Sequence, residues 1–197
     1  MKHILTSLVL VVLLFPTLAL GEEITMDDLV IREGIYYQKF HNVPFDGEVT
    51  GQRQGSFRDG IKDGSWVKYG GNGQLWEKGT YKDGKKEGPW VYYHDNGQLW
   101  KRGTFKDGKR EGSWVGYHDN GQLEFKGTYR NGKKEGEWVT HWNNGQLREK
   151  GAFRIGKKEG LWVFYKEDGI KNLTGGDSYL GFHQGSGLYK NGVKVSD

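Results

Sequence analysis

Cysteine is absent from this chain of 197 residues. The absence excludes disulfide bonds, thiolate metal sites and lipid attachment through a cysteine. A small protein without disulfides must be stabilised by side-chain packing and by backbone hydrogen bonds alone.

Hydrophobic residues are also scarce and make up 35% of the chain, which is low for a globular domain. The sequence has instead 33 Gly, 8 Trp, 11 Tyr and 9 Phe. A chain that is rich in glycine and aromatics and poor in leucine favours many short strands joined by tight turns over helices.

Long hydrophobic runs are missing except at the N-terminus. There, a mainly apolar stretch from Ile4 to Leu20, broken by Pro16, follows a short basic start. Because the small residues Ala19 and Gly21 end this stretch, the pattern predicts a signal peptide cleaved after Gly21, and therefore a secreted or periplasmic protein. An uncleaved membrane anchor is the alternative, although the uninterrupted apolar run is short for a membrane span.

The charge balance is mild. The chain has 29 Lys and Arg against 25 Asp and Glu, and removal of the signal peptide takes away Lys2 alone, leaving 28 against 25, or +3. A balance this small gives no reason to expect nucleic acid as a partner.

The dipeptide Trp-Val recurs at a fixed spacing of 24 residues. A period of this size is typical of a repeat array. Residues that recur in every unit build such a scaffold, so residues that vary must carry what is specific to this protein. The recurring tryptophans are Trp66, Trp90, Trp114, Trp138 and Trp162.

The repeats divide the chain into parts. Four full units align without gaps between residues 65 and 160, and Gly187 resumes the pattern 36 residues after Gly151, where the period predicts 24. The expected parts are a signal peptide at 1–21, an N-terminal lead-in and cap at 22–54, the 24-residue repeats at 55–166 and an irregular C-terminal cap at 167–197.

Each unit contains two turn signals, which are Asn96-Gly97 and Asp107-Gly108 in the second unit. Both dipeptides supply the positive φ angles that a two-residue type I′ hairpin turn requires. Each unit is therefore predicted to be two strands, near residues 85–94 and 98–106. The fold class that follows is all-β, an elongated single-layer antiparallel meander of β-hairpin repeats.

Two-residue turns also fix a strand register. In that register His94 faces Leu99 and Trp90 faces Gly103. An indole laid across a strand needs a neighbour without a side chain, so we expect the Trp90 ring to cover Gly103, with the same contact in every repeat.

The blocks N-G-Q-L, K-G-T-[YF]-K-D-G-K-K-E-G and W-V-x-Y recur across residues 55–166. In these blocks the chain resembles MORN-type repeats, in their variant of about 24 residues. The resemblance implies a scaffold without catalytic residues, of a kind linked to protein scaffolding and to acidic phospholipids.

The lead-in carries a second resemblance. Its stretches from Ile35 to Phe40 and from Val43 to Gly47 are similar to the lead-in of bacterial proteins of the YwqK type. Those proteins are commonly described as antitoxins of toxin–antitoxin pairs, so the resemblance implies an antitoxin-like role.

Nothing in the sequence indicates catalysis, a metal or a cofactor. His94 and His118 occupy the same repeat position beside a turn, which produces a row of histidines and not a convergent set of metal ligands. Glu87 and Glu111 recur in one shared environment, whereas a catalytic pair of carboxylates needs two different environments. The sequence also lacks a phosphate-binding loop and a nucleophile elbow.

A basic pair follows the second turn of every repeat, the turn that is Asp107-Gly108 in the second unit. Because a meander places these turns along one side, the pairs are predicted to form a candidate polyanion edge with successive pairs about 9.6 Å apart. The alternative is that each pair is solvated and partly neutralised by the Glu that follows it. The eight residues are Lys85, Lys86, Lys109, Arg110, Lys133, Lys134, Lys157 and Lys158.

Two further tryptophans do not recur. Trp76 and Trp100 occupy a position that is Glu124 and Arg148 in later repeats. The predicted register places them on the face opposite the recurring tryptophans, where exposed aromatics are candidates for a protein interface. Packing against neighbours on that face is the alternative.

These patterns favour a non-enzymatic, secreted or periplasmic scaffold that binds an unidentified protein. The alternative function is binding of acidic envelope lipid or polysaccharide through the candidate polyanion edge. The first function predicts association that tolerates salt, and the second predicts association that weakens steeply as salt is added.

Overall fold

The computed structural model describes residues 23–171 and 185–196. The predicted signal peptide and part of the expected C-terminal cap lie outside these residues. The described chain contains fifteen strands and one short 3₁₀ turn, Met26–Asp28. The strands are β1 Leu29–Arg32, β2 Ile35–Gln38, β3 Gly47–Val49, β4 Arg53–Arg58, β5 Ile61–Tyr69, β6 Leu75–Lys82, β7 Lys85–Tyr93, β8 Leu99–Lys106, β9 Lys109–Tyr117, β10 Leu123–Arg130, β11 Lys133–His141, β12 Leu147–Arg154, β13 Lys157–Phe164, β14 Gly187–Lys190 and β15 Val193–Ser196.

Strands β3 to β15 form one open sheet in which the strands follow one another in chain order, while β1 and β2 form a separate hairpin. Neighbouring strands are antiparallel throughout. At about 4.8 Å between strands the sheet is about 58 Å wide, roughly twice the length of its longer strands. The predicted all-β, single-layer meander is therefore confirmed. Among the described residues, no helix has the length and hydrophobicity to cross a membrane.

The Asp-Gly turns are two-residue type I′ turns, as predicted. Asp107 and Gly108 have φ angles of 51° and 78°. Each turn is also bonded to the preceding hairpin, because the Gly108 N–H donates to the Lys86 carbonyl oxygen (2.9 Å) and the Asp107 N–H donates to the Glu87 carboxylate (2.8 Å). The recurring Glu therefore caps the next turn along the sheet.

The Asn-Gly turns are not the predicted two-residue turns. Gly97 has a φ of 82°, whereas Asn96 does not have a positive φ. The Gly97 N–H donates to the His94 carbonyl, and the His94 N–H donates to the Gln98 carbonyl, both at 2.8 Å. These bonds enclose a three-residue loop with its glycine in the left-handed region. As a result Leu99 pairs with Tyr93, and not with His94 as predicted.

A second irregularity determines where each indole lies. Trp90 pairs with Gly103, as predicted, but its ring lies over Gly79 on the preceding strand. The register shifts between Lys78 and Thr80, opposite Gly88, which has a φ of 69°. Because such a bulge bends the strand and re-aims the side chain that follows, the ring covers the earlier glycine and the prediction of Gly103 is wrong.

The core of this single layer is a row of rings. Trp114 is 1% exposed, its indole lies on the backbone of Gly103, and its Nε1 donates to the Thr104 carbonyl oxygen (3.1 Å). Phe105 and Tyr129 meet the indole edge to face, with ring centroids 5.1 and 6.0 Å away. The arrangement recurs in each repeat, so buried area comes from neighbouring repeats instead of a second layer.

The N-terminal lead-in closes one end of this row. Leu29 and Val49 are buried with Phe57 and Trp66, the first rings of the array. Here β3 and β4 already belong to the main sheet. The lead-in therefore covers the aromatic row at the end that precedes the first repeat.

At the C-terminal end β14 pairs directly with β13, and Gly187 lies opposite Trp162. The twelve extra residues fall between the bridge of Tyr165 to Lys171 and the start of β14. Gly187 thus takes the register position that Gly103 has opposite Trp90, and the insertion leaves the strand order unchanged.

A substitution at Gly127 tests where the indoles lie, because a Cβ at this position would fall within the ring of Trp138. We expect Gly127→Val to lower the free energy of unfolding by about 1–3 kcal/mol, as overpacking does. The matched control Thr128→Val changes the exposed next residue and should stay within about 0.5 kcal/mol of wild type in urea titrations.

Two tryptophan variants locate the collision. Trp138→Ala and Trp114→Ala should each cost about 3–5 kcal/mol, but only Trp138→Ala removes the ring above Gly127. Gly127→Val should therefore add little to Trp138→Ala and its full cost to Trp114→Ala. If Gly127→Val lowers the free energy of unfolding by the same amount in both tryptophan variants, the assignment of the Trp138 ring to Gly127 is incorrect.

Candidate functional site

The sheet has two chemically different faces. The aromatic face is the one that carries the five recurring tryptophans with the rings between them. The basic face is the opposite one, and its exposed side chains are mainly Lys and Arg. Because strand residues alternate between faces, each residue of the candidate polyanion edge can be assigned to one of them.

The eight predicted edge residues divide between the two faces. The Lys86 ammonium lies over the Trp90 ring, 3.7 Å from its centroid, whereas Lys85 is exposed on the other face beside Gly108. The structure therefore does not bring the eight residues together as one edge. On the basic face lie Lys85, Lys109, Lys133 and Lys157, and on the aromatic face lie Lys86, Arg110, Lys134 and Lys158.

Each of the four cations on the aromatic face lies over the ring of a recurring tryptophan. The Lys134 ammonium lies 4.2 Å from the Trp138 centroid, and burial lowers the pKa of Lys134. Burial likewise lowers the pKa of Lys158, and Glu149, 3.0 Å from its ammonium, opposes that shift. A cation held between an indole and partly buried surroundings contributes to packing and is poorly placed to attract a large polyanion.

The basic face carries more cations than the sequence reasoning identified. Lys106 lies directly opposite Lys109 across the Asp-Gly turn, and Lys126 lies between Val115 and Val139 on the neighbouring strands. The two-residue alternation along each strand was the signal that would have found them. In strands β6 to β13 this face has twelve exposed cations, which are Lys78, Lys82, Lys85, Arg102, Lys106, Lys109, Lys126, Arg130, Lys133, Lys150, Arg154 and Lys157.

The candidate interface residues Trp76 and Trp100 lie on the aromatic face, so their predicted placement on the opposite face is wrong. Trp100 meets Tyr92 edge to face at 6.4 Å, and the Lys101 ammonium lies 3.5 Å from its ring centroid. The cause is the register shift between Tyr92 and Tyr93, which places Trp100 in a bulge and turns it to the other face. Trp76 is 41% exposed.

Three of the positions that vary between repeats lie together on the aromatic face, on the Asn-Gly side of the recurring tryptophans. We refer to these positions as the variable strip. Tyr92 stacks on Trp90, and Phe125 stacks on Trp138, which places both on that face. The strip consists of Lys68, Tyr92, Gly116, Thr140 and Phe164 together with Trp76, Glu77, Trp100, Lys101, Glu124, Phe125, Arg148 and Glu149.

The histidines form the row that the sequence predicts, and their role is structural. His94 donates from Nε2 to the Tyr117 carbonyl oxygen (2.8 Å), and His118 donates to that of His141 (3.0 Å). Trp142 makes the same kind of bond to the next repeat from its indole N–H. Within residues 23–171 and 185–196, no group of three or more His, Cys, Asp or Glu side chains could hold a metal ion.

The hairpin unit is that of a known repeat family. The profile of the MORN repeat variant matches residues 62–83, 86–107, 110–131 and 134–154. These four consecutive matches coincide with the hairpins from β5 to β12, so this chain is a MORN-type repeat protein of the 24-residue variant. No curated protein sequence matches the chain.

The division of each basic pair can be tested with one substitution on each face. Lys86→Glu places a carboxylate on the electron-rich face of Trp90 and beside Glu77, 3.1 Å from the present ammonium. We expect it to lower the free energy of unfolding by about 1–2 kcal/mol. Lys85→Glu should change it by less than about 0.5 kcal/mol. Similar urea midpoints for the two variants would contradict the assignment of the pair to opposite faces.

Proposed function

We propose that this protein is a non-enzymatic, secreted or periplasmic scaffold whose variable strip binds another protein. The observation that carries the proposal is the group of three neighbouring positions on the aromatic face whose side chains differ between repeats. In the recurring positions every repeat is alike, so those positions can build the sheet but cannot select a partner. The variable strip presents a different set of rings and charges on each hairpin, which suits recognition of one specific surface.

Trp76 and Trp100 are the proposed anchors. Tryptophan is enriched among the residues that dominate binding energy in protein interfaces. Each ring has a lysine ammonium within 4 Å of its centroid, at 3.6 Å for Lys68 and 3.5 Å for Lys101. These lysines hold the rings in place and add polar contacts at the rim, so less side-chain entropy is lost on binding.

An antitoxin-like role would be one form of this function. The lead-in residues that resemble YwqK-type proteins, such as Tyr36 and Phe45, pack on Phe57 at the start of the aromatic row. This packing explains why these lead-in residues are present at the end of the sheet. The resemblance to YwqK-type proteins therefore adds one point to the proposal, which is that the partner is a toxin protein.

Affinity capture with matched variants tests the protein-binding function. The immobilised protein should retain a partner from envelope extract in both low and high salt, and Trp76→Ala with Trp100→Ala should reduce the retained amount at least about tenfold. The control Leu161→Ala removes an apolar side chain that is 66% exposed on the basic face. Equal capture by the tryptophan variant and the control would contradict the proposal.

A second function is favoured by the basic face, which would bind acidic envelope lipid or polysaccharide. Its twelve exposed cations repeat every two strands, about 9.6 Å apart. The recurring Glu on this face, such as Glu87 and Glu111, accepts a backbone hydrogen bond from the next turn. The carboxylates are thus engaged on the protein, while the lysine ammonium groups project into solvent.

Vesicle co-sedimentation tests this second function. Each exposed lysine near an acidic membrane contributes about 1 kcal/mol, so a single substitution should have little effect. Changing Lys85, Lys109, Lys133 and Lys157 to Glu should abolish sedimentation with acidic vesicles at low salt and leave the fold intact. The matched control changes four cations outside the repeated basic positions to Glu, namely Arg32, Lys39, Lys166 and Lys171. If the two variants sediment alike, the basic face is a solvated surface.

A further inference from the structure

One stretch of the variable strip is a depression. The third residue of each W-V-x-Y block lies on the aromatic face, and it is large at Tyr92 and Phe164 but small at Gly116 and Thr140. Between the two large rings the sheet therefore has a hollow of about 330 Å³. That volume lies at the lower end of the range for small-molecule sites.

Phe125 forms the floor of this hollow. Its ring lies flat against Gly116, where a Cβ would collide with it, and it is parallel to Trp138 within 17° at a centroid distance of 5.7 Å. The equivalent residues are Glu77, Lys101 and Glu149, so a glycine covered by a ring at this position occurs in this repeat alone. The recurring tryptophans cover glycines in the same way in every repeat. The contact of Phe125 with Gly116 occurs once, so the repeating structure does not require it.

Phe125 differs from Trp138 in what lies above it. The Lys134 ammonium covers the Trp138 ring at 4.2 Å, and Trp138 is 4% exposed. Phe125 is only half-buried. Because its ring lines the hollow and is parallel to that of Trp138, it offers a flat apolar platform there.

Charged and polar side chains surround the platform. Lys101, Glu124 and Arg148 line the hollow, and within the described part of the chain none of the three forms an ion pair. The Oγ1 atom of Thr140 and the Nδ1 atom of His141 are enclosed there without a hydrogen-bond partner. The Lys101 ammonium lies 3.5 Å from the Trp100 centroid and the Arg148 guanidinium 4.5 Å from the Trp142 centroid. Side chains of both charges, with hydrogen-bond donors and acceptors, therefore line the hollow that contains Phe125.

We propose that this hollow binds a pyranose ring that carries a carboxylate, such as a hexuronic acid unit of an acidic glycan. The apolar C–H face of a sugar packs on a flat aromatic ring, while its hydroxyl groups need both donors and acceptors around the rim. Glu124 would accept hydrogen bonds from hydroxyls, and Lys101 with Arg148 would hold the carboxylate. The Thr140 hydroxyl would turn about χ1 to reach a hydroxyl of the ligand.

This proposal shares Lys101 and Trp100 with the protein-binding function, because both residues line the hollow, whereas Trp76 with Lys68 lies outside it. An apolar ligand would leave the charged rim unpaired, which disfavours it. A peptide carboxylate could reach Arg148, but it would leave the platform and the Glu124 carboxylate without a matching group.

Isothermal titration calorimetry with a glucuronic acid oligosaccharide, with the glucose oligosaccharide of equal length as neutral control, tests the proposal. We expect binding of the acidic probe at least about tenfold tighter than that of the neutral one. In ¹H–¹⁵N spectra the indole N–H signal of Trp138 should shift, and that of Trp66 should not. An acetylated peptide ending in Glu that binds as tightly as the sugar would overturn the proposal, as would no binding of the acidic sugar.

Two variants connect such binding to the hollow. Thr140→Phe introduces the residue found at the equivalent Phe164, so the sheet should fold while the hollow is filled and binding is lost. Arg148→Gln should weaken the acidic probe about tenfold and leave the neutral probe unchanged. The control Lys68→Phe places a phenylalanine at the equivalent position outside the hollow, and this variant should bind like wild type. Unchanged affinity in both Thr140→Phe and Arg148→Gln would refute the site.

Discussion

The structure depends on one contact, an indole laid on the bare backbone of a glycine. A sheet with no second layer cannot bury its side chains between layers, so it must bury them within one. Here each recurring tryptophan is placed with glycine below, a ring on either side and a lysine or arginine above. At Trp114 this contact depends on three residues. The bulge at Gly112, equivalent to that at Gly88, re-aims the indole, Gly103 leaves room for it, and Arg110 lies over it.

The sequence was sufficient for the architecture because the fold is repeated. A 24-residue period with two turn dipeptides per unit leaves few alternatives to a meander of hairpins. It was insufficient for the register because Asn-Gly serves both a two-residue turn and the last two positions of a three-residue loop. The φ angle of Asn96 and the hydrogen bonds of His94 distinguish the two. Since side chains alternate along a strand, this local difference was enough to put Trp100 on the wrong face.

The candidate site was predictable in part. Alignment of the repeats identifies Trp76 and Trp100 as non-recurring, and it shows that basic residues follow each Asp-Gly turn. It does not show that Lys86 folds back over Trp90, because that contact depends on the tilt of an indole set by a bulge. The pairing of Gly116 with Phe125 does follow from the predicted register, but the register alone does not show that the Phe125 ring covers Gly116.

The coverage of each glycine by a later tryptophan gives the array a direction. Gly103 precedes Trp114 by eleven residues, and Gly127 precedes Trp138 by the same interval. Each hairpin therefore completes the burial of the one that precedes it in the chain, and the turn at Asn131 is tied to Glu111 of the preceding hairpin. An array built in this way extends by addition at its C-terminal end, with contacts that are short in sequence and rapid to form.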